Sequence, residues 1–159
     1  EGMAELTRPS PVTIAGGERL VGRAGFDAAL KAGAFHIAQP DIVHVGGLWE
    51  AKKIAAMCET AGIGVAPHNP LGPIAGIAAL HFGVSTPNHI IQEEMVGAVP
   101  WYDSVVEWPI DKVAGRWDLP DKPGLGLQVD EEEVAAHPFQ QEVLHTRNAV
   151  LPDGTIVDW

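Results

Sequence analysis

Four short apolar runs recur along the first part of the chain at nearly constant spacing. They are PVTIAGGE (11–18), FHIAQPD (35–41), GIGVAP (62–67) and HIIQEE (89–94). Each run has the length of a strand, and near-continuous apolar character is typical of parallel strands that are buried on both faces. The gaps between the runs are long enough for one helix each. The sequence therefore predicts parallel βα units joined by right-handed crossovers.

Helix signals fill the gaps between these runs. Segment 47–62 places apolar residues at helical spacing on one face, and its last residue, Gly62, can close a helix in the left-handed conformation. Segment 25–34 is a shorter version of the same pattern. Segment 73–84 begins with a proline, which the first turn of a helix tolerates. Since segment 73–84 is almost entirely apolar, we expect it to be widely buried.

A polar side chain stands at or near the end of each apolar run. These residues are Glu18, Asp41, His68 and Glu93, and they are spaced by 23, 27 and 25 residues. One βα unit of a (β/α)8 barrel has roughly this length, because about 250 residues make eight units of about 31 residues each. We therefore expect the four side chains to occupy equivalent places at the carboxyl ends of neighbouring strands, where barrel active sites lie.

Together, these side chains can support general base catalysis. Asp41 can accept the N–H of His68 from a neighbouring strand, which fixes the tautomer of the imidazole and stabilises its charged form. Glu18 can bind a hard cation such as Mg²⁺ through oxygen. Glu93 can donate to an oxyanion when protonated, or serve as a further metal ligand. Taken alone, His68 is better explained as a buried structural histidine, and Glu18 could be a solvated loop acid.

Composition and charge argue against several other classes of protein. The net charge is −11 with only ten Lys and Arg, so we expect neither a nucleic-acid partner nor binding to an anionic membrane. Cys58 is the only cysteine, which suits a reducing, cytoplasmic location. The start of the chain lacks the pattern of a signal peptide. The stretch between Glu59 and Glu93 has no charged residue, but prolines and histidines interrupt it, so we expect buried interior rather than a membrane span.

The βα rhythm stops after residue 97. We interpret residues 1–97 as barrel units and residues 98–159 as a C-terminal extension that packs on the barrel and on a capping domain. Within the extension, the acidic run 130–133 predicts the start of a short helix. The Asp153-Gly154 pair predicts the turn of a hairpin.

Several short motifs, each weak alone, are specific in combination. They are AGGER (15–19), QPD (39–41) followed by GG (46–47), APHNPLGP (66–73), QEE (92–94), KPGLG (122–126) and DGTIVDW (153–159). Together they resemble the mandelate racemase subgroup of the enolase superfamily, and within it the D-galactonate dehydratase type of acid-sugar dehydratases. The resemblance implies an α/β fold, namely the C-terminal portion of a (β/α)8 barrel with its extension, without the N-terminal capping domain and the first strands.

The same resemblance implies roles for the strand-end residues. Glu18 corresponds to the third carboxylate ligand of a catalytic Mg²⁺. Asp41 and His68 correspond to a dyad in which the histidine is the general base, and Glu93 to the glutamate that hydrogen-bonds the substrate carboxylate. The implied reaction is Mg²⁺-dependent dehydration of a sugar acid, a galactonate-like aldonate, to a 2-keto-3-deoxy acid through an enediolate. The implied partners are this small-molecule substrate and further copies in a homo-oligomer.

Two alternatives stay open. The first is another enolase-superfamily reaction, racemisation or cycloisomerisation, because these share the enolisation step. The second is a structural or interaction role for an inactive chain, since the other two Mg²⁺ carboxylates and a second acid/base residue are expected upstream. We accordingly expect the 159 residues alone to be inactive. At the level of residues, Glu94 competes with Glu93, because adjacent side chains of a strand point to opposite faces. His44 is expected to pack near the site.

Overall fold

The computed structural model describes residues 2–95, 97–107, 112–141 and 152–155. The first range contains helix α1 (Gly2–Thr7) and then alternating strands and helices. These are β1 (Ala15–Gly16), α2 (Gly22–Ala32), β2 (Ile37–Ala38), α3 (Leu48–Thr60), β3 (Gly64–Val65) and α4 (Pro73–Val84). The extension contributes β4 (Lys112–Val113), β5 (Arg116–Trp117) and α5 (Glu131–Ala136).

Strands β1, β2 and β3 form a parallel sheet in chain order. A parallel bridge between Val65 and His89 adds the fourth apolar run beside β3. The predicted parallel βα units are therefore confirmed. The ladders are shorter than predicted, since each strand has two residues and the fourth run contributes only a bridge. Pro40 and Pro67, which lack the N–H that a ladder needs, limit β2 and β3.

The three predicted helices are present with closely matching bounds. Helix α4 begins at Pro73 in the first-turn position, as predicted. Helix α3 is followed by Gly62 with a φ of 71°, and the Gly62 N–H donates to the Glu59 carbonyl at 2.9 Å. Helix α2 ends at the left-handed Gly33, but it begins at Gly22, earlier than residue 25. Helix α1 was not predicted.

The core lies between the sheet and helices α2, α3 and α4. Its fully enclosed side chains include Phe26, Ile54 and Phe82. The predicted apolar face of α3 is buried. Helix α4 buries six of its residues, but its ends expose Ile74 and Val84, so its burial is less complete than predicted. None of the helices formed by the described residues has the length and hydropathy needed to cross a bilayer.

The environment of Cys58 leads to a chemical prediction. Its side chain is completely buried on α3, and burial raises the pKa of the thiol to about 11. At pH 8, roughly one thiol in a thousand is then ionised, and the thiolate is the reactive form. We expect a thiol reagent at pH 8 to label Cys58 only after denaturant is added. Labelling of the native protein at the rate of free cysteine would contradict this burial.

The described part of the extension makes contacts within itself and with α4. Val106 forms an antiparallel bridge with Val129, and the His81 Nε2 lies 2.9 Å from the Leu125 carbonyl oxygen. The short helix predicted at the acidic run is present as α5, capped by the Asp130 carboxylate. The division of the chain at residue 97, and packing on a capping domain, stay predictions.

One hairpin of the extension was not predicted from the sequence, and a second one was predicted. Strands β4 and β5 form an antiparallel hairpin that was not predicted, and its turn places Ala114 and Gly115 at positive φ. The hairpin predicted around Asp153-Gly154 is described only at residues 152–155, where the Asp153 carboxylate accepts the Thr155 N–H at 2.9 Å. Its flanking segments lie outside the described residues.

Candidate active site

The carboxyl ends of the strands bring the predicted residues to one edge of the sheet. Four backbone positions form a row across the sheet, namely Gly16, Ala38, Val65 and His89. Asp41 and His68 each lie three residues beyond this row, Glu18 lies two beyond it and Glu93 four. All four therefore follow the strands at the same end, as their spacing predicted.

Asp41 and His68 form a hydrogen-bonded pair, which we call the dyad. The Asp41 Oδ2 lies 2.9 Å from the His68 Nδ1, and the Asp41 side chain is 1% exposed. The other oxygen, Oδ1, accepts the N–H groups of Val43 at 2.9 Å and His44 at 3.1 Å. These donors hold the carboxylate as an acceptor. His68 itself belongs to residues 67–71, the His68 loop, and its side chain is 24% exposed.

The dyad determines which nitrogen of His68 can act as a base. With the Asp41 Oδ2 as the acceptor of this hydrogen bond, the His68 Nδ1 carries the proton and donates it, which leaves the lone pair on Nε2. The His44 Nδ1 lies 3.5 Å from the Asp41 Oδ2, the oxygen that also contacts His68, and about half of the His44 side chain is exposed. His44 thus packs near the site, as predicted.

Three consecutive residues, Gln92, Glu93 and Glu94, hold the His68 loop from the neighbouring strand. The Gln92 side chain donates to the Pro67 carbonyl at 3.1 Å. The Glu93 Oε2 accepts the backbone N–H of Asn69 at 2.9 Å, and the Glu94 Oε2 accepts its side-chain amide at 3.1 Å. Every residue of the QEE motif therefore bonds to the loop that presents His68.

Glu93 and Glu94 have different surroundings, as the alternation of strand side chains predicted. Glu93 is exposed, whereas the Glu94 side chain is only 12% exposed. The Tyr102 hydroxyl donates to the Glu94 Oε1, and the Lys112 ammonium lies 3.9 Å from that oxygen. Burial raises the pKa of Tyr102, and the bond to Glu94 raises it further, so the hydroxyl stays a donor. Sequence reasoning missed Tyr102 and Lys112, for which no local pattern gave a signal.

Glu18 has the chemistry of a Mg²⁺ ligand. Its carboxylate is partly buried after β1, and its Oε2 accepts the Gly17 N–H at 3.1 Å. A carboxylate oxygen is the ligand type that Mg²⁺ prefers. Within the described ranges, however, no three His, Cys, Asp or Glu side chains form a group that could hold a metal. The described residues thus do not form a complete magnesium site by themselves.

A parallel sheet flanked by helices, with an Asp–His pair at its carboxyl edge, defines an α/β domain. Residues 1–134 match the family described as Enolase C-terminal domain-like. The chain therefore belongs to this family, and the predicted fold, the C-terminal portion of an enolase-superfamily barrel, is confirmed.

The chain is similar to curated proteins and to solved structures over nearly its whole length. A D-galactonate dehydratase of Cronobacter sakazakii is 39% identical over 162 residues, which cover 97% of this chain and 42% of that protein. A crystal structure of a putative galactarate dehydratase from Agrobacterium radiobacter, with sodium and L-malate bound, is 31% identical with a TM-score of 0.84, covering 97% of this chain and 42% of that one. The chain spans about two fifths of the length of the curated relatives it matches.

A third similar protein bears on the metal. The structure of a putative L-alanine-DL-glutamate epimerase from Burkholderia xenovorans, bound to magnesium and fumarate, is 32% identical with a TM-score of 0.81. It covers 86% of this chain, which in turn spans 34% of that chain. Magnesium is therefore found in at least one structure of this fold.

Proposed function

We propose that the whole protein dehydrates a sugar acid, a galactonate-like aldonate, to a 2-keto-3-deoxy acid. The observation that carries this proposal is the 2.9 Å contact between Asp41 and His68 at the ends of neighbouring parallel strands. Similarity to D-galactonate dehydratases supports the choice of substrate class.

The proton transfer follows from the geometry of the dyad. The lone pair on the His68 Nε2 takes the proton from the carbon next to the substrate carboxylate, and Asp41 stabilises the resulting imidazolium through Nδ1. The His68 side chain is 24% exposed, which leaves the ring open to a substrate. Glu93 is exposed beside the His68 loop, and in its protonated form it would donate a hydrogen bond to the substrate carboxylate as negative charge develops there.

Loss of water completes the proposed reaction. The electrons left by the departing proton form a carbon–carbon double bond as the β-hydroxyl leaves, and this hydroxyl gains a proton to become water. The enol that remains tautomerises to the 2-keto-3-deoxy acid. No described residue is assigned as the acid for this step. The experiment that tests the proposal is product analysis on a panel of acid sugars, in which dehydration predicts a product lighter by one water.

Glu18 is the residue of this chain proposed to hold Mg²⁺, which when bound supplies positive charge at the substrate carboxylate. In the whole protein, Glu18→Gln should weaken Mg²⁺ affinity about tenfold or more, since one charged oxygen ligand is lost. Titration calorimetry measures this, with the partly exposed Glu50→Gln as the matched control. Unchanged affinity in Glu18→Gln would remove Glu18 from the metal site. Because one carboxylate is not a complete site, we expect the 159 residues alone to bind Mg²⁺ weakly and to be inactive.

Racemisation or epimerisation is the second candidate reaction. The observation that favours it is the similarity to a putative L-alanine-DL-glutamate epimerase. Both reactions begin with the same proton abstraction, so the dyad does not distinguish them. The products do, because an epimer has the mass of its substrate whereas dehydration removes one water.

The remaining proposals concern location and partners. The single cysteine, which is buried, supports a reducing and cytoplasmic location. The net charge of −11 supports a small-molecule substrate rather than a nucleic acid or an anionic membrane. We also propose that the whole protein is a homo-oligomer, which light scattering would test.

A further inference from the structure

We infer that Tyr102 and Glu94 are positioning residues that hold the His68 loop in one conformation, so that His68 and Glu93 face a substrate in one arrangement. The inference rests on the proposed function, because it assigns a role to two residues that stand outside the dyad. It joins the extension to the strand-end residues through a continuous series of hydrogen bonds, which we call the Tyr102 network.

The Tyr102 network reaches Asn69, the residue next to His68, and then Glu93 through three hydrogen bonds. The Tyr102 hydroxyl donates to the Glu94 Oε1, and the other Glu94 oxygen accepts the side-chain amide of Asn69 at 3.1 Å. The backbone N–H of the same Asn69 donates to Glu93 at 2.9 Å. Since Asn69 directly follows His68 in the chain, a shift of Asn69 moves both His68 and Glu93.

Burial makes this network costly to disturb. Asn69 is 2% exposed and Tyr102 is 5% exposed, so water cannot easily replace a lost partner. The charge of Glu94 is balanced by Lys112, whose ammonium lies 5.2 Å from the centroid of the Tyr102 ring. The Tyr102 hydroxyl also lies 3.3 Å from the Leu71 carbonyl, so it contacts the far end of the His68 loop as well.

Helix α4 leaves room for the network at Gly76. A Cβ added at this buried glycine would lie 3.1 Å from the Glu94 Oε2 and 3.5 Å from the Asn69 Nδ2. The first distance is shorter than an ordinary contact, so a methyl group would displace the Glu94 carboxylate by a few tenths of an ångström. Gly76→Ala therefore disturbs the network without removing any polar group, and alanine suits the interior of a helix better than glycine.

The kinetic test uses Tyr102→Phe, Glu94→Gln and Gly76→Ala in the whole protein. We expect kcat for the sugar acid to fall between about tenfold and a hundredfold, because a small misplacement of the base is costly. We expect KM to change less than about twofold, and the primary isotope effect with α-deuterated substrate to rise as proton abstraction becomes slower. The exposed Glu107→Gln, in the same segment as Tyr102, is the matched control and should match the wild type.

A merely structural role predicts a different pattern. The variants would then lose thermal stability while kcat per folded molecule and the isotope effect stay at wild-type values, and that result would overturn the inference. Gly76→Ala is informative here, because it removes no polar group, so a lower kcat per folded molecule in this variant supports positioning whatever its melting temperature.

A second measurement separates this inference from the proposed function. Hydrogen exchange at the Asn69 backbone N–H needs no substrate, and we expect it to become at least about tenfold faster in Tyr102→Phe and unchanged in Glu107→Gln. If the wild type acts on no acid sugar, the proposed function fails, while faster exchange still supports the positioning of the loop. Unchanged exchange in Tyr102→Phe would overturn the inference whatever the activity of the wild type.

Discussion

His68→Asn in the whole protein should reduce the rate of dehydration by about 10²–10⁴-fold, the usual contribution of a general base. Asparagine keeps a polar group beside Asp41, so the buried carboxylate retains a partner and the fold should persist. What it lacks is the basic lone pair of Nε2. Steady-state kinetics with the sugar acid measures the loss.

Two controls are needed to attribute the loss of rate to the missing base. Circular dichroism and Mg²⁺ titration should show a folded variant with unchanged metal affinity. His36→Asn is the matched substitution, because His36 is exposed and precedes β2 at the opposite end of the sheet. A His68→Asn variant with wild-type kcat would show that another residue is the base.

Asp41→Asn should be comparably severe, by about 10⁴-fold if the dyad behaves like the acid–histidine pair of a Ser-His-Asp triad. The amide oxygen can still accept the N–H groups of Val43 and His44. The amide nitrogen then faces the His68 Nδ1 and donates to it, which moves the imidazole proton to Nε2 and removes the base. Steady-state kinetics on the folded variant measures this effect.

The matched control for this substitution is Asp27→Asn. Asp27 is a half-exposed acid on α2 that pairs only locally with Lys31, at 2.6 Å. Its replacement should change neither kcat nor, by more than about 1 kcal/mol, stability, because such exposed pairs contribute little. If Asp41→Asn kept more than about a tenth of the wild-type activity, Asp41 would have no essential role in orienting His68.

Local signals explain how well the helices could be predicted. Pro73 begins α4 at the predicted residue, and Gly33 and Gly62 adopt the left-handed conformation that ends α2 and α3. These residues act through their own backbone preferences, which need no knowledge of the rest of the fold. The start of α2 was less accurate, since Val21 is extended and provides no side-chain cap.

The unpredicted hairpin shows where local signals are weak. The turn between β4 and β5 places Ala114 and Gly115 at φ values of 52° and 75°. Asparagine or aspartate commonly precedes glycine in such turns, whereas alanine rarely adopts positive φ. Across the ladder the Lys112 ammonium lies 5.8 Å from the centroid of the Trp117 ring, and such a contact is not visible in a sequence pattern.

The candidate site also has one part that the sequence predicted and one part that it did not. The contact of Asp41 with His68 could be predicted, because neighbouring parallel strands present residues at equal distances from their ends. The Tyr102 network could not, since it depends on how the extension folds back on the sheet. The sequence flagged Glu94 only as a competitor of Glu93, and the structure instead gives it the buried partners Tyr102 and Asn69.

The central claim is that the Asp41–His68 dyad removes the proton next to the carboxylate of a sugar acid. The most direct measurement incubates the whole protein with D-galactonate and Mg²⁺ in D₂O and follows the α-proton and the products by NMR. We predict that the wild type consumes the α-proton and forms a 2-keto-3-deoxy acid, while His68→Asn does neither. Retention of the α-proton by the wild type, or its normal loss in His68→Asn, would contradict the claim.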